Sequence, residues 1–137
     1  MRFMILVKAT KDSEAGIMPS EDVYRAMADY HEELAKAGML LDANGLEPSA
    51  QGFRIRYAGG KRTVIDGPFT EGKELIAGYT VIQVKSEEEA REWARRFPNL
   101  HDQDGEIEVR RIYEIEDLGG PEGWADRFRE LGIANEK

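Results

Sequence analysis

Leu75 to Val84 is the longest strand-like segment of the chain, rich in β-branched residues and tyrosine, and the tight turn Asp66-Gly67-Pro68-Phe69 stands just ahead of it. Such a segment is stable only with strands at its edges and apolar cover on its faces. Its Gly78 predicts a bulge or the close approach of another backbone, because glycine weakens a strand interior unless something needs the space. The rest of the chain must supply those neighbours.

Phe3 to Val7 is a continuous apolar run suited to a central strand covered on both faces. Ser20 is placed to cap a helix over residues 20–37. Glu21 and Asp22 lie in its first turn, Val23, Met27, Tyr30 and Leu34 recur at helical spacing, and Gly38 ends it. Met39 to Leu41 reads as a short strand and Asn44-Gly45 as a turn. The alternation Phe53-Arg54-Ile55-Arg56-Tyr57, the turn Gly59-Gly60 and the run Arg62 to Ile65 predict a hairpin. Ser86 with Glu89 forms a capping box, opening a helix whose buried stripe is Ala90, Trp93, Ala94 and Phe97, with Pro98 as its stop. A polar loop over His101 to Gly105 leads to a strand from Ile107 to Tyr113, with a bulge expected at Arg110-Arg111 where the alternation changes phase. Trp124, Phe128 and Leu131 mark a short amphipathic helix over 122–131.

The order is β-α-β, a hairpin, then β-α-β. It predicts an α+β fold of the ferredoxin-like split βαβ kind with an extra β-hairpin, over residues 1–117, followed by a helical extension over 118–137. Both helices then lie on one face of an antiparallel sheet. Phe53, Ile55, Tyr57, Tyr79 and Val81 exceed what two short helices can cover, so a second subunit is the expected cover and a homodimer the expected assembly.

Composition narrows the function classes. The chain of 137 residues has no cysteine, which excludes disulfide scaffolding, thiol nucleophiles and thiolate metal sites. A net charge of −8 argues against a nucleic-acid partner. The apolar run at the start is too short for a signal peptide and no segment approaches a membrane span, so no membrane association and a cytoplasmic location are expected.

The stretch Asp66-Gly67-Pro68-Phe69 through Gly78-Tyr79, then Ser86-x-x-Glu89-Ala90 and Trp93-Ala94-x-x-Phe97-Pro98, resembles the YCII-related proteins of the DGPF type. The opening Met4-Ile5-Leu6-Val7 and the stretch Gly45-Leu46-x-Pro48-Ser49 fit the same pattern, and the resemblance covers residues 1 to about 115. It implies a dimeric α/β barrel. Some relatives are suspected small-molecule enzymes with a histidine–aspartate pair, and others occur beside or fused to sigma factors of the extracytoplasmic class. The enzyme-like branch places a histidine close to the first strand or helix; the candidate in this chain is His31, which lies well along the first helix.

Asp66 carries two readings: its carboxylate can bond backbone N–H groups just ahead and shape the turn, or serve as a general base or ligand-orienting group. Phe69 can fill a core seam or cap a pocket, and Lys73 can pair with Glu74 on the surface or bind an anionic substrate. His31 is either a satisfied boundary histidine or a catalytic group facing the sheet, with Asp66 as its orienting carboxylate and Tyr30 or Tyr79 nearby. The catalytic version suits cofactor-free proton transfer or elimination on a small organic acid or phenol. The alternative is a non-enzymatic accessory module linked to a sigma factor, with helix 122–131 and the acidic surface as the contact. No metal or cofactor is expected. Asp102 to Glu106 has calcium-loop composition but Ile107 at the position that needs glycine, Gly59 to Thr63 lacks P-loop spacing, and His101 with Asp102 and Asp104 is a weak metal set.

Overall fold

The computed structural model describes residues 1–70, 74–133 and 136. In chain order the elements are β1 (Arg2–Lys8), α1 (Lys11–Glu14), α2 (Glu21–Lys36), β2 (Leu40–Gly45), a 3-10 turn (Ser49–Gln51), β3 (Phe53–Ala58), β4 (Lys61–Asp66), β5 (Ile76–Gln83), α3 (Glu87–Arg95), β6 (Ile107–Arg111), a second 3-10 turn (Ile115–Leu118) and α4 (Trp124–Glu130). The fold is mixed α+β with antiparallel sheets. β2, β5, β1 and β6 form one four-stranded sheet in that order, and β3 with β4 forms a separate two-stranded one. The two β-α-β units therefore interleave: their first strands, β1 and β5, lie side by side at the centre. Among the described residues the sheets do not close into a barrel.

The register sets which side chains meet. Phe3 opposes Ile82, Ile5 opposes Thr80 and Val7 opposes Gly78, and directly opposed residues share a face of the sheet. On that face Phe3, Ile5, Ile82 and Val84 pack with Tyr30 and Leu34 of α2 and Ala90 and Trp93 of α3. Both helices thus cover one face, as their 3.6-residue stripes require. Ile5, Leu34 and Ile82 are fully buried, each stabilising the fold by about 1.5–3 kcal/mol. At the start of α3, Ser86 Oγ accepts from the Glu89 N–H at 3.1 Å, while the Glu89 carboxylate reaches past Ser86 to accept from the Lys85 N–H at 3.1 Å.

Several sequence expectations are corrected. Asn44-Gly45 is not a turn but the end of β2, which runs on alongside Tyr79 and Gly78 of β5. Arg110-Arg111 carries no bulge, and β6 pairs with β1 in unbroken register from Ile107 to Arg111. The register shifts lie elsewhere: between Val7 and Lys8 the pairing skips Ala77 of β5, next to Gly78, and between Leu40 and Asp42 it skips Leu41 of β2. Gly78 is also closely approached: a Cβ there would stand 2.9 Å from the Asn44 carbonyl oxygen and 3.3 Å from Gly45 Cα. Val81, expected among the residues needing outside cover, is buried within the chain.

The hairpin differs from the main sheet. Phe53, Ile55 and Tyr57 share a face with Val64 and are 64%, 45%, 69% and 63% exposed. Beyond β6, Arg2 reaches Glu114 through two bonds, Nε to Oε1 at 2.9 Å and Nη2 to Oε2 at 3.0 Å, and Ile115 beside it is buried. A bidentate pair of this kind fixes direction as well as position. α4 then rests on the second 3-10 turn, with Arg129 Nη2 donating to Glu116 Oε1 at 2.9 Å, and none of its residues is buried. No helix among the described residues is long and apolar enough to cross a membrane.

Candidate functional site

A cavity of about 870 Å³ opens between α2, the loop before it and the ends of β1, β2 and β5. Val23, Met27 and His31 project into it from α2 at spacings of four residues, the positions that share a helix face. Val7, Ala43, Gly78 and Thr80 line it from the sheet, Ile17, Met18 and Pro19 from the loop before α2, and Leu100 and His101 from the loop after α3. The wall is largely apolar, with a few placed polar groups, the usual character of a small-molecule site.

His31 is held at both ring nitrogens. Nδ1 lies 2.7 Å from the Met27 carbonyl oxygen, one turn back on its own helix, and Nε2 lies 2.9 Å from Thr80 Oγ1 on β5. A carbonyl only accepts, so Nδ1 carries the proton. In the neutral ring Nε2 is then an acceptor, and the Thr80 hydroxyl donates to it. Thr80 is buried yet forms part of the cavity wall. The arrangement is a hydroxyl, a base and an orienting group in line, with a backbone carbonyl where a carboxylate often stands.

Tyr30 supports this site from behind. Its hydroxyl donates to the Trp93 carbonyl at 2.7 Å and its ring meets His31 and Phe97 edge-on, with centroids 5.5 and 5.0 Å away. Burial pushes its phenol up to about 12, with Arg96 partly opposing and Glu33 adding to the shift. It is a packing and positioning group, not an acid for use near neutral pH.

Of the other residues named from the sequence, Tyr79 is among those lining the cavity, with its ring sent by alternation to the face opposite Thr80. There its hydroxyl accepts from Asn44 Nδ2 at 3.0 Å and donates to Asp42 Oδ2 at 3.3 Å. Asp66 and Phe69 are not among the residues lining the cavity. Within one chain and among the described residues, His31 bonds Thr80 and the Met27 carbonyl, and no hydrogen bond joins it to Asp66. Lys73 lies outside the described residues.

The turn at Asp66 is anchored without the Asp66 side chain, which makes no hydrogen bond among the described residues. The Gly67 N–H donates to the Gly52 carbonyl at 3.0 Å, and the Phe69 N–H donates to Ser49 Oγ at 3.0 Å. Ser49 is itself held by Glu14, whose carboxylate accepts from the Ser49 N–H at 2.9 Å and from its hydroxyl. A Cβ on Gly67 would stand 1.9 Å from the Ser49 carbonyl oxygen, so only glycine fits. Arg54 stacks its guanidinium 3.7 Å from the centroid of the Phe69 ring, a cation–π contact at the base of the hairpin.

Sequence reasoning missed Thr80 altogether, and weighed Asp102 only as part of a weak metal set. Thr80 hid in a run of β-branched strand residues, where no local pattern set it apart. Asp102 accepts from the Ser20 N–H at 2.8 Å and the Ser20 hydroxyl at 2.7 Å, and so closes the N-terminal end of α2 in place of the Ser20 cap bond. His101 Nε2, 3.0 Å from the Lys8 carbonyl oxygen, fastens the same loop to β1.

Comparison with known proteins agrees with the motifs. A curated protein of Rhizobium meliloti (strain 1021), itself uncharacterised, is 33% identical over 92 residues, which is 67% of this chain and 74% of that protein. The family description for the YCII-related domain matches residues 1–116, ending as the chain enters the second 3-10 turn. The chain belongs to the YCII-related family.

Proposed function

We propose that the cavity over His31 and Thr80 binds a small phenol and accepts its proton, making the protein a cofactor-free catalyst of proton transfer, or of elimination where the ligand carries a leaving group. The observation that carries this reading is the fixed line Met27 carbonyl, His31 and Thr80 in the wall of a largely apolar cavity. The phenol O–H gives its proton to Thr80 Oγ1 as the Thr80 proton passes to His31 Nε2. The products are a bound phenolate and an imidazolium whose Nδ1–H still donates to Met27. A free phenol has a pKa near 10, so the driving force comes from forming the phenolate beside the imidazolium in a site of low dielectric.

The same reading makes the working unit a homodimer of cytoplasmic type, with the sheets of two ferredoxin-like chains completing a dimeric α/β barrel. Its support is the exposed apolar face of the hairpin, Phe53, Ile55, Tyr57 and Val64. A two-stranded ribbon is marginal alone, and a second copy is the partner always at hand. Asp66, Phe69 and Lys73 stand near that hairpin in sequence and belong in this reading to the seam, not to the proton step.

Para-nitrophenol, whose ionised form is coloured, tests the site. Binding to the intact protein is expected to raise the bound phenolate fraction at constant pH, and His31→Ala to abolish that gain. Binding with no change in ionisation would remove the proton step. A second reading, an accessory module for a sigma factor, is favoured by one observation: α4 leaves Trp124, Phe128 and Leu131 around an open groove. Co-purification with a sigma factor, lost on Phe128→Asp, would support it.

A further inference from the structure

The rim of the cavity has a sign. Asp12, Glu47 and Asp102 contribute to its lining, and no lysine or arginine does among the described residues. Asp12 and Glu47 are exposed and their carboxylates meet no partner among the described residues. The N-terminal end of α2, a feature that would attract an anion, is already occupied by the Asp102 carboxylate through the Ser20 N–H and hydroxyl. His101 adds to the same balance. Its Nε2 donates to the Lys8 carbonyl, which leaves Nδ1 of the neutral ring as an acceptor. The rim therefore offers carboxylates and a ring lone pair, while the interior offers Val23, Met27, Ile17, Leu100 and the His31–Thr80 pair.

A ligand suited to both ends has an apolar aromatic body and a cationic tail. We propose that this cavity selects phenolic amines: the phenol hydroxyl meets Thr80 at the floor and an ammonium group faces Asp12 and Glu47 at the rim. This rests on the reading of His31 and Thr80 given above and narrows it. It also turns away the small organic acid, since a carboxylate tail would enter a wall already carrying like charge. The cavity, at about 870 Å³, is large enough for a ring and a short side chain.

Three molecules with one phenol body separate the possibilities: tyramine with an ammonium tail, tyrosol with a hydroxyl and para-hydroxyphenylacetate with a carboxylate. Calorimetric titration of the intact protein at low and high salt is expected to give tyramine at least tenfold tighter binding than para-hydroxyphenylacetate, tyrosol between them, and a gap that shrinks with salt. Asp12→Asn combined with Glu47→Gln is expected to bring the tyramine-to-tyrosol ratio toward one. If para-hydroxyphenylacetate binds as tightly as tyramine, or the tyramine preference survives the double substitution, the charge selection is overturned while the cavity reading stands. If none of the three binds, or Ala28→Trp in the cavity wall leaves all three affinities unaltered, the cavity reading fails and this inference falls with it.

Discussion

His31 and Thr80, 49 residues apart, are joined through Nε2 and Oγ1 at 2.9 Å. The bond ties the middle of α2 to the central strand β5 at the edge of the cavity. Neither partner is free to turn away. The Met27 carbonyl, 2.7 Å from Nδ1, fixes the ring, and the antiparallel pairing of β5 with β1 and β2 fixes the Thr80 backbone. A histidine held this way keeps one tautomer in its neutral form, which is what a directional proton acceptor needs.

The first prediction follows from that tautomer. Nitrogen-15 spectra of neutral His31 are expected to show Nδ1 protonated and Nε2 bare. Thr80→Val keeps the shape and removes the hydroxyl, leaving Nε2 without its donor at a cost to stability of about 1–2 kcal/mol. It is expected to leave Nδ1 protonated while abolishing the ionisation gain of a bound phenol. A ring found with its proton on Nε2 would sink the relay.

Tyr30 gives a pH dependence at the alkaline end. Its phenol rises from 10.0 in an exposed setting to about 12 in the fold, because burial disfavours the anion. Between those two values the unfolded chain has released a proton that the folded chain still holds. Stability is therefore full below pH 10 and falls as pH rises toward about 12, by up to about 3 kcal/mol. Denaturant titrations across this range check it, with Tyr30→Phe as the control. That variant is expected to lose about 1 kcal/mol with the bond to Trp93 and to show a shallower alkaline decline.

The hairpin face carries the assembly prediction. Light scattering after gel filtration is expected to give about 31 kDa, twice the 15.5 kDa of the chain. Ile55→Asp with Tyr57→Glu, on side chains 45% and 69% exposed in the single chain, is expected to halve that mass without unfolding the protein. A mass near 15.5 kDa for the unaltered protein at high concentration would end the dimer reading.

How much of this was legible in the sequence varies with the reach of the interaction. The stripes of α2 and α3 were plain because Tyr30, Leu34, Ala90 and Trp93 repeat at helical spacing and bury that face. Gly78 announced a close approach, since a glycine weakens the interior of a β-branched strand unless a neighbouring backbone needs the space. The end of β2 was misread because Asn44-Gly45 has turn composition, yet tertiary pairing with Tyr79 and Gly78 overrides that local preference. His31 was visible as a lone histidine on an apolar flank, but its partner was not. Thr80 is reached only through the packing of α2 on β5, and no local pattern encodes which strand residue a helix will meet. Asp66 stood out for the opposite reason: its neighbours Gly67 and Pro68 make a conspicuous turn, and the conspicuous acid is not what holds it.

The last prediction separates those neighbours. Gly67→Ala would drive a methyl group to 1.9 Å from the Ser49 carbonyl oxygen, which neither backbone can yield without breaking the Gly67–Gly52 bond at 3.0 Å. The expected loss is at least about 3 kcal/mol, at the severe end for a single substitution. Asp66 is exposed and makes no side-chain hydrogen bond among the described residues, so Asp66→Asn is expected to alter stability by less than about 0.5 kcal/mol. Denaturant midpoints for the two variants decide the matter. A large loss with Asp66→Asn would return the carboxylate to a structural role in the turn. A small one, combined with unaltered phenol ionisation, would leave the His31–Thr80 pair to carry the proton chemistry without it.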